Sequence, residues 1–116
     1  MKKRLLRLVA ALSLLAGCGH APASRDKLSV VTTTPILADL TRQVAGDRAT
    51  VTSMVPSGAD PHTYEPSLRD VRTVVYSRVA LSNYLMLEPH SVIKTIDSSL
   101  PTGSINVSLA KEAQKY

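Results

Sequence analysis

One histidine, His62, stands in a turn whose composition suits metal binding. It follows Gly58 and Pro61 and precedes Pro66, in the segment GADPHTYEP at residues 58–66. The two prolines restrict the backbone on both sides of the imidazole, and the glycine allows the chain to turn. A neutral imidazole is the most common transition-metal ligand in proteins, and it binds best when its orientation is fixed. The pattern therefore makes His62 a candidate ligand for a divalent metal.

Two carboxylates flank this histidine. Asp60 and Glu65 are each close enough in sequence to accept a hydrogen bond from the ring nitrogen of His62 that does not bind the metal. Such a bond would fix the imidazole for binding. One imidazole is only part of a site, because zinc takes four ligands, or three and a water molecule, and manganese takes more oxygen donors. The motif identifies one ligand and does not distinguish zinc from manganese.

The same sequence carries no pattern typical of catalysis. It contains no Gly-x-Ser-x-Gly elbow and no glycine-rich phosphate loop. Its carboxylates are scattered without an obvious pair, and no nucleophile stands in a recognisable relation to a base. We expect a protein that is not an enzyme and uses no catalytic cofactor.

The N-terminal residues have the pattern of an export signal. Basic residues accompany an apolar run at 5–15 that is too short to span a bilayer, and Cys18 follows an alanine and a glycine. The placement of Cys18 resembles the bacterial lipobox, in which the cysteine is lipidated; the alternative is an ordinary secretory signal with a chance cysteine. We expect residues 1–17 to be a lipoprotein signal peptide and residues 18–27 a lipidated cysteine and flexible tether. The lipid would anchor the protein at the extracytoplasmic face of the cell membrane.

The positive charge of the chain belongs to this signal. The full sequence has 14 basic and 9 acidic residues, a net charge of +5. Removing residues 1–17 takes away four basic residues and no acidic one, which leaves ten against nine, or +1. The sequence also has no tryptophan or phenylalanine to stack on bases. We therefore expect no nucleic-acid partner.

Residues 28–116 show an alternation of strand and helix patterns. Apolar or β-branched runs at 28–33, 49–55, 79–82 and 105–109 predict four strands. Three helical patterns separate them. The first is a row of apolar residues at helical spacing, namely Ile36, Leu37, Leu40 and Val44. The second begins at Ser67, with Asp70 as a capping-box partner and a stripe of Leu68, Val71, Val74, Val75 and Val79. The third opens at Glu88 and Pro89.

This order, β-α-β-α-β-α-β, predicts one α/β domain with a parallel sheet and flanking helices. In such sheets ligands bind beyond the carboxyl ends of the strands. His62 follows the second strand directly, so we expect it at the ligand-binding edge.

Several segments together resemble a known family. PSGADPHTYEPS at 56–67 is similar to the first metal-site motif of the zinc/manganese ABC-transporter solute-binding lipoproteins, which include streptococcal lipoprotein adhesins. VTTTP at 31–35 resembles the family's opening strand and turn, and NVS at 106–108 resembles the strand that closes its first lobe. NYLMLE at 83–88 stands where members usually carry Asn-Gly-x-x-x-Glu. The resemblance covers residues 28–116, and its later part is most similar to an actinobacterial branch.

The resemblance implies a C-clamp of two α/β lobes joined by a long helix, with the metal in the cleft between them. It implies that His62 is the first of four ligands and that the others follow the fourth strand or come from the second lobe. The implied function is capture of zinc or manganese for an ABC permease and its ATPase. On this interpretation the chain is the first lobe without its partner. The alternatives are a surface adhesin or interaction lipoprotein and a non-functional truncated remnant.

Two positions depart from the family pattern. Tyr84 replaces the glycine that usually follows the asparagine, which alters the turn near the cleft. His90 stands where members more often carry an aromatic residue. Two interpretations of His90 remain open: a ligand in the cleft, or a residue that packs at the start of the helix as the aromatic would.

Overall fold

The structure is a computed structural model that describes residues 26–84 and 86–116. Cys18, the predicted signal peptide and most of the predicted tether lie outside the described residues. None of the helices in the described part of the chain has the length and apolar run needed to cross a membrane.

Four parallel strands form a single sheet. In chain order they are β1 (Leu28–Thr32), β2 (Ala49–Ser53), β3 (Val79–Ser82) and β4 (Ile105–Ser108). Their order across the sheet is β2-β1-β3-β4, and every neighbouring pair is parallel. The first connection therefore runs in one direction from β1 and the later two run in the other. This confirms the predicted fold class and element order.

The helices alternate with the strands. They are α1 (Pro35–Ala45), which continues into a 3₁₀ turn (Gly46–Arg48), α2 (Leu68–Val75), α3 (His90–Ser99) and the short α4 (Leu109–Ala113). Proline occupies the first turn of α1, where its missing N–H costs nothing, and Gly46 with φ of 58° closes the helix. The predicted capping box of α2 is present, because Ser67 and Asp70 each accept a hydrogen bond from the other's backbone N–H.

The core lies between the sheet and the helices α2 and α3. Its buried residues come from β1, β3, both helices and the segment after β2, and they are Val31, Met54, Val74, Ala80, Val92 and Ile96. Right-handed crossovers place α1 on the opposite face, where it packs on β1 and β2 through Leu37 and Ala38. The sheet thus has helices on both faces.

The apolar pattern of α1 predicts the helix correctly but not the direction of its side chains. Ile36, Leu40 and Val44 are 72 %, 55 % and 80 % exposed, and only Leu37 of the predicted row is buried. On α2, Leu68 of the predicted stripe is likewise 89 % exposed. Helical spacing places apolar residues in a row, while the neighbouring elements decide which of them are covered.

Candidate metal centre

The loop that carries His62 starts from a fixed point on the sheet. Beyond the end of β2, Met54 and Val55 continue the β1 pairing: their backbone N–H groups donate to the carbonyls of Thr32 and Thr33, at 2.8 and 3.0 Å. Both side chains are buried. The loop therefore leaves the carboxyl edge of the sheet with little freedom in its first residues, as expected for a ligand-binding edge.

The turn itself is organised by Asp60. Its Oδ1 accepts the backbone N–H of His62 at 2.9 Å, and its carbonyl lies 3.4 Å from the N–H of Thr63. Gly58 has φ of 84°, a conformation that glycine adopts without steric cost. Asp60 thus holds the backbone of His62, whereas the sequence analysis expected it to hold the ring. The His62 side chain is exposed.

Tyr64 anchors the far side of the turn. Its ring packs against the core cluster, and its hydroxyl donates to Oδ2 of the buried Asp70 at 2.8 Å. The same oxygen accepts the backbone N–H and the hydroxyl of Ser67, both at 2.7 Å. Burial, and then the hydrogen bond to the Asp70 carboxylate, raise the pKa of Tyr64 above its ordinary value of 10.0. His62 therefore lies between two anchors. Val55 is bonded to the end of β1, and Tyr64 is bonded to Asp70 of α2.

A second loop follows β3, and its described residues are held by Glu88. The Glu88 side chain is buried, and its Oε1 accepts the hydroxyl of Thr33, the backbone N–H of Asn83 at 2.8 Å and the Asn83 amide at 3.3 Å. Its Oε2 accepts the backbone N–H of Tyr84 at 2.9 Å. The carboxylate thereby ties the end of β1 to the loop after β3. The sequence indicates Glu88 as a helix start and as the final glutamate of the segment at 83–88, but not as the residue that holds this loop.

The two loops border a cleft of about 780 Å³. His62 and His90 both line it, so the structure brings together two residues that lie far apart in sequence. Asp60 and Glu65 are not among its lining residues, and Cys18 lies outside the described part. The other residues that line the cleft, none of them predicted as a ligand or as support for one, are Ser82, Tyr84, Met86, Glu88, Pro89, Ile93, Ile96, Asp97, Asn106, Ser108 and Lys111.

The cleft holds only part of a metal site. Within residues 26–84 and 86–116, no three His, Cys, Asp or Glu side chains lie close enough together to hold a metal ion. Two imidazoles in one cleft are a partial donor set, since zinc sites in proteins use at least three protein ligands. Nitrogen donors of this kind suit zinc, iron and related transition metals.

A family model described as "ZnuA: Zinc-uptake complex component A periplasmic" matches residues 30–115. Similar curated proteins include the metal ABC transporter substrate-binding lipoprotein SloC of Streptococcus mutans, 41 % identical over 90 residues, which are 76 % of this chain and 29 % of SloC. Another is the iron ABC transporter substrate-binding lipoprotein MtsA of Streptococcus pyogenes, 45 % identical over 92 residues, or 75 % of this chain and 30 % of MtsA. These relatives are streptococcal and do not support an actinobacterial branch.

Solved structures show the same fold. A cadmium-bound periplasmic metal-binding protein from Candidatus Liberibacter asiaticus superposes with a TM-score of 0.66 and 29 % sequence identity, over 72 % of this chain and 31 % of that one. The four-stranded sheet and its helices correspond to one lobe of this two-lobed class of protein. The chain spans about 30 % of the length of the relatives that it matches.

Proposed function

Since this chain belongs to the ZnuA family of periplasmic zinc-uptake components, we propose that it serves in the capture of a divalent metal cation outside the cytoplasmic membrane for an ABC transporter. The observation that carries the proposal is the position of His62, at the carboxyl edge of a parallel sheet in a turn anchored on both sides. An imidazole whose backbone is held in place at a cleft is well positioned for metal capture.

Within the cleft, we assign His62 as the first ligand and His90 as a second donor. His90 is the first residue of α3 and is exposed, which leaves its imidazole accessible to a cation. Asp60 supports His62 through the backbone N–H. Glu65 remains a prediction as the acceptor for the second ring nitrogen, because it is exposed and close in sequence.

The function of the whole protein includes partners that this chain's family suggests. We propose that Cys18 is lipidated after removal of residues 1–17, that residues 18–27 are a tether, and that residues 28–116 form the first lobe. One acyl chain binds membranes only marginally, so a diacylated cysteine would provide the anchor. The permease of an ABC transporter, which works with its ATPase, would receive the metal at the extracytoplasmic face. No catalytic step and no nucleic acid enter this proposal.

The identity of the metal is left open by the donors present. Relatives and neighbours are described with zinc, manganese, iron or cadmium. An imidazole accepts each of these, so selectivity must come from the remaining ligands and their geometry.

A zinc titration of residues 19–116, followed by NMR of the histidine ring protons, tests the proposal. We expect weak binding that shifts the His62 ring signals and weakens at least about tenfold in His62→Ala, because one of few donors is lost. His20→Ala removes an imidazole from the predicted tether and serves as the matched control, with binding unchanged. Equal zinc binding by the parent chain and His62→Ala would contradict the proposal.

A further inference from the structure

The cleft contains a positively charged side chain that the proposed function does not use. Lys111, on α4, lines the cleft together with His62 and His90. Its Nζ lies 3.6 Å from the centroid of the Tyr84 ring, well within the range of a cation–π interaction. In the described part of the chain, no carboxylate oxygen lies within 4.0 Å of this ammonium group, whereas the nearby Lys115 pairs with Glu112 at 2.6 Å.

Tyr84 is held in the position that places its ring under this ammonium. Its backbone has φ of 66°, which is uncommon for a residue other than glycine. Its N–H donates to Oε2 of the buried Glu88, so the conformation is fixed by a charged hydrogen bond. The loop therefore presents the aromatic ring to the cleft, and the ring in turn holds the lysine charge there.

The other charges of the cleft do not cancel that of Lys111 by direct contact. The carboxylate of Glu88 is engaged by four donors from Thr33, Asn83 and Tyr84. Asp97 accepts the Asn106 amide at 2.9 Å. Both carboxylates attract a cation that enters the cleft, and Lys111 repels it.

We propose that Lys111, held over Tyr84, lowers the affinity of the cleft for divalent cations and so helps to determine how firmly a captured cation is retained. This inference rests on the proposed function of the cleft. A protein that must release its cargo gains from a fixed charge of this kind, because the repulsion acts on the bound cation without occupying a ligand position.

Coulomb's law gives the expected size of the effect. A single and a double positive charge about 10 Å apart in water change a binding constant by roughly threefold at low salt, and by more in less polar surroundings. At about 0.5 M salt the effect should largely disappear, because the screening length becomes shorter than the distance between the two charges.

The test is a zinc titration of residues 19–116 carrying Lys111→Met, at low and at high salt. We expect zinc to bind about threefold more tightly than to the parent chain at low salt, with the difference lost at high salt. The matched control is Lys115→Met, which removes the same charge from the same end of the chain but outside the cleft, and its affinity should stay within experimental error.

Tyr84→Asn tests the role of the ring, since asparagine tolerates positive φ better than most residues. Zinc binding should tighten, though less than in Lys111→Met, and the double variant should bind no more tightly than Lys111→Met alone. Independently of metal, the side-chain protons of Lys111 next to Nζ should show an upfield ring-current shift that Tyr84→Asn abolishes.

The outcomes separate the two proposals. If Lys111→Met and Lys115→Met affect zinc binding equally, or if the effect of Lys111→Met persists at high salt, the inference about Lys111 is wrong while the site stands. If neither the parent chain nor Lys111→Met binds zinc more tightly than His62→Ala, both the proposed function and this inference fail.

Discussion

Tyr64 shows how one residue links the metal-site turn to the core. Its ring lies against the core cluster, and its hydroxyl reaches the carboxylate that also caps α2. His62 lies only two residues before Tyr64, so an ordered Tyr64 limits the positions that the imidazole can take. A single hydroxyl thus connects helix capping to the geometry of the candidate ligand.

The raised pKa of Tyr64 predicts a pH dependence of stability. Because the folded-state pKa lies above the unfolded value near 10.0, the stabilisation is fully present below pH 10 and is lost as the pH rises through the folded-state pKa. Urea unfolding should show the free energy of unfolding falling more steeply above pH 10 in the parent chain than in Tyr64→Phe. Tyr76→Phe, at an exposed tyrosine, should follow the parent chain. Identical pH profiles for the parent and Tyr64→Phe would contradict the prediction.

At the scale of elements, the carboxyl edge of the sheet is assembled by side chains rather than by strand pairing alone. Thr33 follows β1 and Asn83 follows β3, and both donate to Glu88 just before α3. A buried carboxylate is costly unless its oxygens accept hydrogen bonds, and here several donors satisfy it. Glu88 thereby joins two strand ends and the start of a helix on one side of the cleft.

Replacing Glu88 should therefore loosen this edge. In Glu88→Gln, one carboxylate oxygen is replaced by an amide NH₂ group, which cannot accept the hydrogen bonds of the donors around it. We therefore expect a loss of about 1–3 kcal/mol in the free energy of unfolding. Urea unfolding followed by circular dichroism measures it. The matched control, Glu65→Gln, changes an exposed carboxylate and should leave the midpoint nearly unchanged. A midpoint for Glu88→Gln equal to that of the control would show that the hydrogen bonds to the Glu88 carboxylate do not stabilise the fold.

At the scale of the molecule, the two faces of the sheet are covered unequally. Val79 and Leu81 pair in register with Ile105 and Val107, on the face opposite Ala80 and the core. Ile105 is 58 % exposed, and the exposed row Ile36, Leu40 and Val44 of α1 lies along the same side, away from the contact of Arg42 with β2. Within the described residues, this side of the molecule therefore carries several exposed apolar side chains.

Exposed apolar side chains of this kind should bind a hydrophobic dye. We expect residues 19–116 to enhance the fluorescence of anilinonaphthalene sulfonate, since a surface of this kind is normally covered. The double variant Leu40→Ser/Ile105→Ser should reduce the enhancement. Val75→Ser, at an exposed apolar residue of α2 on the other face, is the control. Little enhancement of dye fluorescence by residues 19–116, or an equal reduction in Val75→Ser, would contradict this prediction.

Local sequence patterns determined the order of the elements and the main candidate ligand. Strand and helix periods and the capping box at Ser67 depend on residues a few positions apart, and the structure confirms them. The turn around His62 is equally local, because Pro61, Pro66 and Gly58 shape it directly. For the same reason the family resemblance, which rests on contiguous motifs, was confirmed.

Only the tertiary structure decided what depends on residues far apart in sequence. It placed His90 in the same cleft as His62, used Glu88 to join β1 to the loop after β3, and brought Lys111 over the ring of Tyr84. It also turned the apolar row of α1 away from the core. A sequence period predicts which residues share one face of a helix or strand. The burial and the charge environment of that face depend on the elements packed against it.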